Sequence, residues 1–220
     1  MTSPTPVTCI ILGGGGHARV ILESLQSRGD ADGMGILDKD SSLWGKQILG
    51  VPVLGGDELL ADLAHQGVTR FLVGLGGVGN NHPRKRLFDF GIKQGLMPIN
   101  VFHPSAVCSP SASLGSGSVM LPASVVNSQA VIGVNVIINT GAIVEHDCAI
   151  GDHVHIATGS RLCSTVHVGD DAHIGAGATV RQGVKIGAGA IVGMGAVVIN
   201  DVDPGTTVVG IPARLMAPRD

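Results

Sequence analysis

The sequence is poor in aromatic and charged side chains. Its 220 residues include one Trp, four Phe and no Tyr, and only 14% are charged, so small aliphatic side chains must form the core. Hydrophobic residues make up 44% of the chain and the formal net charge is −3, which excludes the composition of a disordered protein. The same charge provides no basic surface for nucleic acid, and we expect no nucleic-acid partner.

Long apolar runs and paired cysteines are also lacking. No stretch reaches 18 uninterrupted apolar residues, and the opening MTSPTPVTCII has neither a basic segment nor a sustained apolar one. We therefore expect no membrane span, no secretion and a cytoplasmic location. Cys9, Cys108, Cys148 and Cys163 show no CxxC spacing, which favours reduced, mostly buried thiols over a metal ribbon or a dithiol centre.

An apolar residue instead recurs at every sixth position in the second half of the chain. From Leu114 to Val198, 15 consecutive positions in this phase are aliphatic or Met, and a small or β-branched residue or Cys148 stands four positions after each of the first fourteen. Six is an even number, so both positions face inward in extended chain and leave room for a turn. The period predicts a parallel solenoid over residues 102–201, with about 18 residues per coil and coils about 4.8 Å apart. Glycines directly after the anchors, such as Gly115 and Gly175, are predicted to supply unusual corner dihedrals.

The first 98 residues show a different pattern, in which short apolar runs alternate with helical ones. Strands are predicted at 7–12, 34–38, 51–54 and 71–74, with helices from the GGGGHA loop to near Gly29, from Asp57, and around 83–95. The loop fits GxGxxA and Asp38 ends the second strand, but about 95 residues make only half of a dinucleotide-binding domain. A phosphate or diphosphate of a nucleotide sugar fits this half-site better than a whole dinucleotide. A dehydrogenase, and a glycine turn whose His17 only caps the helix, remain alternatives.

Five of the nine histidines fall within 28 residues of the solenoid: His146, His153, His155, His167 and His173. His155 and His173 are 18 apart and should stack on adjacent coils, whereas the other spacings place side chains on different corners. We therefore expect no metal site. His167 and His173 are compatible with ordinary solvated positions.

The segment NTGAIVEHDCAIGDHVH (139–155), with GGGGHA, LDKD, DPG and GIPAR, resembles bacterial sugar-nucleotide acetyltransferases of the sialic acid O-acetyltransferase (NeuD) family over nearly the whole chain. The resemblance implies an α/β half-Rossmann nucleotide-sugar-binding domain at 1–98 and a left-handed parallel β-helix acyltransferase domain at 99–220. It also implies a homotrimer, with acetyl-CoA bound between subunits. The implied reaction is acetyl transfer from acetyl-CoA to the 4-amino group of a UDP-linked amino-dideoxy sugar. O-acetylation of sialic acid, and a non-catalytic structural or nucleotide-sugar-binding solenoid, are the alternatives.

The resemblance also assigns residues to roles. His146 matches the general base and Asp147 the acid that raises its basicity, with Glu145 and Asn139 in the same catalytic group. An imidazole with a pKa near 6.5 can accept the proton that the attacking acceptor loses, and such a base contributes about 10²–10⁴-fold. The positions that match acetyl-CoA contacts are His155, Ser164, Ala176 and Met194, and those that match nucleotide-sugar contacts are Gly15, Gly16, His17, Asp38, Lys39 and Gly76.

Two of these positions depart from the family pattern. Ser164, whose backbone N–H is the implied oxyanion donor one coil above His146, is glycine in many members, and Lys39 stands where the family varies between acidic and other residues.

Cys148 occupies an inward small position and Cys163 has no evident base partner, so we expect direct transfer without a covalent acyl-enzyme.

Overall fold

The computed structural model describes residues 7–216. An α/β domain with a six-stranded sheet is followed by three sheets of very short strands. The strands of the first sheet are β1 (Cys9–Leu12), β2 (Met34–Leu37), β3 (Gln47–Ile48), β4 (Val51–Gly55), β5 (Arg70–Val73) and β6 (Met97–Pro98). The helices are α1 (Gly16–Gln26), α2 (Leu60–His65) and α3 (His82–Lys93), with 3₁₀ turns at Ser41–Leu43 and Asp57–Leu59.

The sheet has the order β3-β4-β2-β1-β5-β6, and all neighbours are parallel except β3 and β4. Ala18, Ile21, Leu22 and Leu25 are buried on one face of α1, because positions three and four apart share a face of a helix. The predicted alternation of strands and helices is confirmed, although the two-residue strands β3 and β6 were not foreseen. The helix expected from Asp57 begins as a 3₁₀ turn and becomes α-helical only at Leu60.

Residues 101–209 form a left-handed parallel β-helix with three faces, as the resemblance implied. The last described strand, Arg214–Leu215, pairs antiparallel with Thr207–Val209. The strands of the first face are Val101–Phe102, Val119–Met120, Ile137–Ile138, His155–Ile156, His173–Ile174, Ile191–Val192, Thr207–Val209 and Arg214–Leu215. Those of the second face are Val107–Cys108, Val125–Val126, Ile143–Val144, Arg161–Leu162, Thr179–Val180 and Val197–Val198. Those of the third face are Ser113–Leu114, Val131–Ile132, Ala149–Ile150, His167–Val168 and Lys185–Ile186.

The coil length and the inward positions agree with the six-residue period. Ile137 pairs with His155 and His155 with His173, which is a step of 18 residues. Every anchor from Met120 to Val198 is at most 4% exposed, and so is every residue four positions after an anchor within this range. The β-helix core is therefore a column of small aliphatic side chains, which is why so few aromatic residues are needed.

The glycines directly after the anchors serve a different purpose from the predicted one. A Cβ added to Gly175 would lie 2.5 Å from the carbonyl oxygen of Val192 and 2.6 Å from the amide nitrogen of Met194 on the next coil. Left-handed backbone occurs two positions later, for example at Gly159 (φ +66°) and Asp147 (φ +59°). The prediction of unusual dihedrals at the first set was wrong, because close approach of adjacent coils excludes a side chain there.

Gly175→Ala should therefore destabilise the β-helix, since backbone of the next coil has no room to yield. We expect the free energy of unfolding to fall by about 1–3 kcal/mol, as for other overpacked sites. Gly159→Asn is the matched control, because no atom lies within 4 Å of an added Cβ and Asn tolerates the left-handed region. Thermal unfolding of the two variants checks this, and equal midpoints would contradict the close-approach explanation.

The N-terminal α/β layer covers the first face of the β-helix. Val101, Val119 and Ile137 point outward from this face and are buried in one cluster with the apolar residues of α1. His173, in the same column, is only 7% exposed, so its predicted solvation is wrong, while His167 on the third face is exposed as expected. Across residues 7–216, none of the helices has the length and apolarity that crossing a bilayer requires.

Candidate active site

The glycine loop joins β1 to α1 and is hydrogen-bonded to the carboxylate of Asp38. The amide of Gly14 donates to Oδ2 of Asp38 at 2.6 Å, and the amide of Asp40 donates to Oδ1 of the same side chain at 2.8 Å. Added Cβ atoms on Gly15 and Gly16 would meet nothing within 4 Å, and no side chain of the described residues caps α1. The start of α1 is therefore open to an anionic group, which its amides and the helix dipole favour.

A cleft of about 430 Å³ lies beside this loop, at the carboxyl edge of the parallel sheet, and we call it the edge cleft. Its lining residues are Gly13, Asp38, Lys39, Asp57, Leu75, Pro83, Arg86, Leu87 and Phe90. The resemblance had assigned Asp38 and Lys39 to the substrate site. Asp57 was missed, although its place after β4 in a parallel sheet is a usable signal. Arg86 and Phe90 could not be assigned, because the orientation of α3 decides which of its side chains face the cleft.

His17 and Gly76 meet on the other side of the loop. A Cβ added to Gly76 would lie 3.6 Å from Cβ of His17, so the two residues pack together. Nε2 of His17 is buried and has no partner among the described residues. Burial first, and then the charge of Arg84 and the proximity of His155, hold the pKa of His17 well below its ordinary value. His17 is therefore neutral at physiological pH.

His155 links the N-terminal layer to the β-helix. Its Nδ1 contacts the carbonyl oxygen of Gly77, and its Nε2 lies 3.0 Å from Nδ2 of Asn139. A carbonyl can only accept, so Nδ1 carries the proton and Nε2 accepts from the Asn139 amide. The ring of His173 packs edge-on at 5.0 Å, and burial lowers the pKa of His155 to about 4. His155 is thus a neutral imidazole fixed in one tautomer.

Arg84 and Asn81 hold the loop between β5 and α3 in place. Nη1 of Arg84 donates to the carbonyls of Val73 and Leu75, both at 2.8 Å, and burial lowers the pKa of the guanidinium to about 9. Nδ2 of Asn81 donates to the carbonyl of Ala172 on the β-helix at 3.0 Å. Neither residue was predicted from the sequence. Together they fix the loop that presents Gly76 to His17 and the Gly77 carbonyl to His155.

His146 lies at the corner that follows the second face, which we call the second corner. Its Nδ1 is 2.7 Å from Oδ2 of Asp147, and its amide donates to Oε2 of Glu145 at 3.3 Å. The left-handed backbone of Asp147 (φ +59°) defines how this carboxylate lies beside the ring. Both side chains are about half exposed, at 54% and 53%. Nδ1–H donates to the carboxylate, so Nε2 is the nitrogen that can accept a proton from a substrate.

The predicted catalytic group is thus divided between two corners. His146, Asp147 and Glu145 lie together at the second corner, whereas Asn139 follows the first face and bonds to His155. The amide of Thr165 donates to the carbonyl of His146 at 3.0 Å, which places Ser164 on the coil next to His146 as the resemblance implied.

The residues predicted to contact acetyl-CoA are similarly distributed. Ala176 and Met194 are exposed neighbours on adjacent coils, where the amide of Gly195 donates to the carbonyl of Ala176 at 2.8 Å. Met194 is 82% exposed, whereas His155 is only 5% exposed. Ser164 lies at the second corner, so no single corner carries all four. These contacts remain predictions.

The two buried cysteines, Cys9 and Cys148, are poorly suited to nucleophilic catalysis. Cys148 is buried in the β-helix core, as its inward position predicted, and burial raises the pKa of its thiol to about 11. Burial raises the pKa of Cys9 to about 12. Thiols with such values are protonated at neutral pH, and a thiol is a weak nucleophile compared with a thiolate. Within residues 7–216, no three His, Cys, Asp or Glu side chains are grouped so that they could hold a metal ion.

Comparisons with known proteins place the chain in a family. The PglD N-terminal domain profile matches residues 8–90, and the bacterial transferase hexapeptide profile matches residues 165–200. Comparison with curated proteins gives no significant match.

Several solved structures are similar over nearly the full length. A histidine-to-asparagine variant of perosamine N-acetyltransferase from Caulobacter crescentus, in complex with CoA and GDP-perosamine, is 40% identical, with 96% of this chain and 97% of that chain covered and a TM-score of 0.88. The acetyltransferase domain of PglB from Neisseria gonorrhoeae, in complex with acetyl coenzyme A, is 34% identical, with coverage of 96% and 100% and a TM-score of 0.87. WeeI from Acinetobacter baumannii is 29% identical, with coverage of 96% and 100% and a TM-score of 0.83.

The two domain profiles lie in the order expected from the sequence, and the similarity to the Caulobacter structure extends over both parts of the chain. The chain belongs to the NeuD/PglD family of sugar-nucleotide acetyltransferases, and it is an acetyltransferase that uses acetyl-CoA as co-substrate.

Proposed function

We propose that the protein transfers the acetyl group of acetyl-CoA to the 4-amino group of a nucleotide-linked amino-dideoxy sugar. The observation that carries this proposal is the pair of His146 Nδ1 and Asp147 Oδ2 at 2.7 Å, which leaves Nε2 as an exposed proton acceptor. The N-acetyltransferase activity named for the Caulobacter relative supports an amine acceptor. O-acetylation of a sugar hydroxyl uses the same base and remains the second candidate.

The chemistry proceeds by direct transfer. The amine attacks the thioester carbonyl, a C–N bond forms, and Nε2 of His146 takes the proton that the nitrogen loses. Asp147 stabilises the imidazolium, and the backbone N–H of Ser164 is proposed to donate to the oxyanion. The C–S bond then breaks, and the thiolate of CoA takes the proton from His146. The protonated buried thiols give no support to a covalent acyl-enzyme.

We further propose a division of labour between residues 1–98, which bind the nucleotide sugar, and residues 99–220, which bind acetyl-CoA and carry the base. His155 lies on the first face and His146 lies at the second corner, so a site that combines the two residues draws on two subunits. Val107 and Val131 are 59% and 56% exposed on the outward sides of the second and third faces, which offers apolar surface for a neighbouring copy. These features support a homotrimer. The expected cytoplasmic location also stays a prediction.

An acceptor panel tests the proposal. CoA release is measured with acetyl-CoA and UDP-, GDP- or dTDP-linked 4-amino-4,6-dideoxy sugars, with CMP-sialic acid and free sialic acid as O-acetylation controls. The sequence resemblance predicts the UDP-linked sugar, whereas the bound acceptor of the Caulobacter relative carries GDP. We expect CoA release with an amino sugar and a product that resists mild alkali, as an amide does. Release only with sialic acid would replace the amide product by an ester.

A further inference from the structure

The edge cleft has two kinds of surface that together suit a nucleotide. Leu75, Pro83, Leu87 and Phe90 form an apolar wall of the kind on which the face of a base packs. Lys39 and Arg86 supply cations for a diphosphate, and Asp38 and Asp57 supply carboxylates. The Asp38 carboxylate already accepts from the amides of Gly14 and Asp40. A volume of about 430 Å³ lies within the range of small-ligand sites. The Asp57 carboxylate is the unusual element, since an anion opposes phosphate binding unless it contacts another part of the ligand.

Asp57 lines the edge cleft at the end of a strand of the sheet. It begins the 3₁₀ turn Asp57–Leu59 immediately after β4, at the carboxyl edge of the sheet. Burial, and then the charges of Asp38 and Glu58, raise the pKa of Asp57, and the charge of Lys39 offsets only part of this rise. The ionised carboxylate is therefore under-solvated, and a ligand that offers N–H donors to both of its oxygens would relieve this cost.

The bases differ in what they offer to such a group. Guanine presents N1–H and N2–H₂ side by side on its Watson–Crick edge, which matches the two oxygens of a carboxylate. Uracil presents one N–H between two carbonyl oxygens, and adenine presents one N–H beside an acceptor nitrogen, so each sets an acceptor against the carboxylate. We propose that the edge cleft binds the base of the acceptor nucleotide, that Asp57 is its specificity-determining residue, and that the base is guanine. This inference rests on the proposed function, and it favours a GDP carrier over the UDP carrier predicted from the sequence.

The experiment measures the binding of GDP, UDP, ADP and xanthosine diphosphate to the full chain by calorimetry. We expect GDP to bind about tenfold or more tightly than UDP or ADP, as a bidentate base contact provides. Trp44 is the only Trp of the chain and its indole N–H donates to the carbonyl of Asp38 at 2.7 Å, so fluorescence can follow the same titrations.

The variant Asp57→Asn tests the contact to the base directly, because it replaces one acceptor oxygen of the side chain by a donor. Xanthine carries a carbonyl where guanine carries its amino group, so this variant should lose GDP affinity and gain affinity for xanthosine diphosphate. Asp62→Asn, on the exposed side of α2, is the matched control and should leave all four affinities unchanged. A variant that loses both nucleotides alike would show that Asp57 only supports the loop.

The outcomes separate this inference from the proposed function. UDP binding as tight as GDP binding, or no binding of any diphosphate, overturns the guanine assignment. CoA release from a UDP-linked amino sugar without GDP preference would do so while leaving the acetyltransfer proposal intact. Selective GDP binding without CoA release from any amino sugar would leave the inference standing and defeat the proposed acceptor chemistry.

Discussion

Replacing His146 with Ala should lower kcat for CoA release by about 10²–10⁴-fold, which is the range that a general base contributes. The affinity for acetyl-CoA should stay unchanged, because the imidazole accepts a proton and is not proposed to hold the cofactor. Steady-state kinetics with the best acceptor of the panel gives the first quantity, and calorimetry with CoA gives the second. His65→Ala, in the last turn of α2 and exposed, is the control and should behave as wild type.

A substitution of Asp147, the carboxylate beside His146, provides a second test of this role. Asp147→Asn removes the acceptor that holds the Nδ1 proton of His146, so kcat should fall while acetyl-CoA binding is retained. Ordinary turnover in the His146 variant would remove this residue as the base. The remaining candidate for the base would then be His155 on the first face, whose neutral ring is hydrogen-bonded to Asn139, a predicted catalytic residue.

The stability of the protein should fall steeply in mild acid, because four histidines are held neutral where the N-terminal layer meets the β-helix. Burial is the first cause that lowers the pKa of His17, His153, His155 and His173. For His155 the folded pKa is about 4 and the ordinary value 6.5, so between these values the unfolded chain binds a proton that the folded chain does not. Stability is therefore full above about pH 6.5 and is lost as pH falls toward 4. His155 alone should account for about 3 kcal/mol of this loss.

Denaturant unfolding at a series of pH values checks this expectation, with His155→Gln as the informative variant. Gln cannot titrate but can still donate to the Gly77 carbonyl and accept from the Asn139 amide. The variant should lose less stability than wild type between pH 6.5 and 4, whatever its stability at neutral pH. Parallel pH profiles for the two proteins would show that His155 does not carry the effect.

Much of the fold could be predicted because its information is local and repeated. The anchors from Leu114 to Val198 determine the coil length, the inward positions and the scarcity of aromatic residues in the β-helix. The left hand could not be derived from them, since the period is the same for either hand. The role of Gly175 was also missed, because the approach of the next coil is not visible in a single hexapeptide.

The candidate site was less accessible to sequence reasoning, since it depends on contacts distant in the chain. The resemblance predicted the adjacent residues His146 and Asp147 as a pair, and in the structure the left-handed corner at Asp147 places their side chains together. Arg84 and the Gly77 carbonyl could not be predicted as parts of the site. Arg84 donates to the carbonyl of Asn135, 51 positions away, and the Gly77 carbonyl contacts His155, 78 positions away, both across the junction of the two domains. His173 was misjudged for the same reason: its exposure is decided by a layer that the repeat does not encode.

The 18-residue coil sets rules for which insertions the chain can accept. Adding one whole coil beyond the last contacts of the N-terminal layer would lengthen the β-helix while every side chain kept its face. A single extra hexapeptide between Asn139 and His155 would instead advance all later residues by one face. His155 and His173 would then leave the covered face, and the Asn139 amide would lose its partner. Where the two domains touch, insertions are therefore confined to multiples of one coil. Only the far end of the β-helix can accept insertions of other lengths.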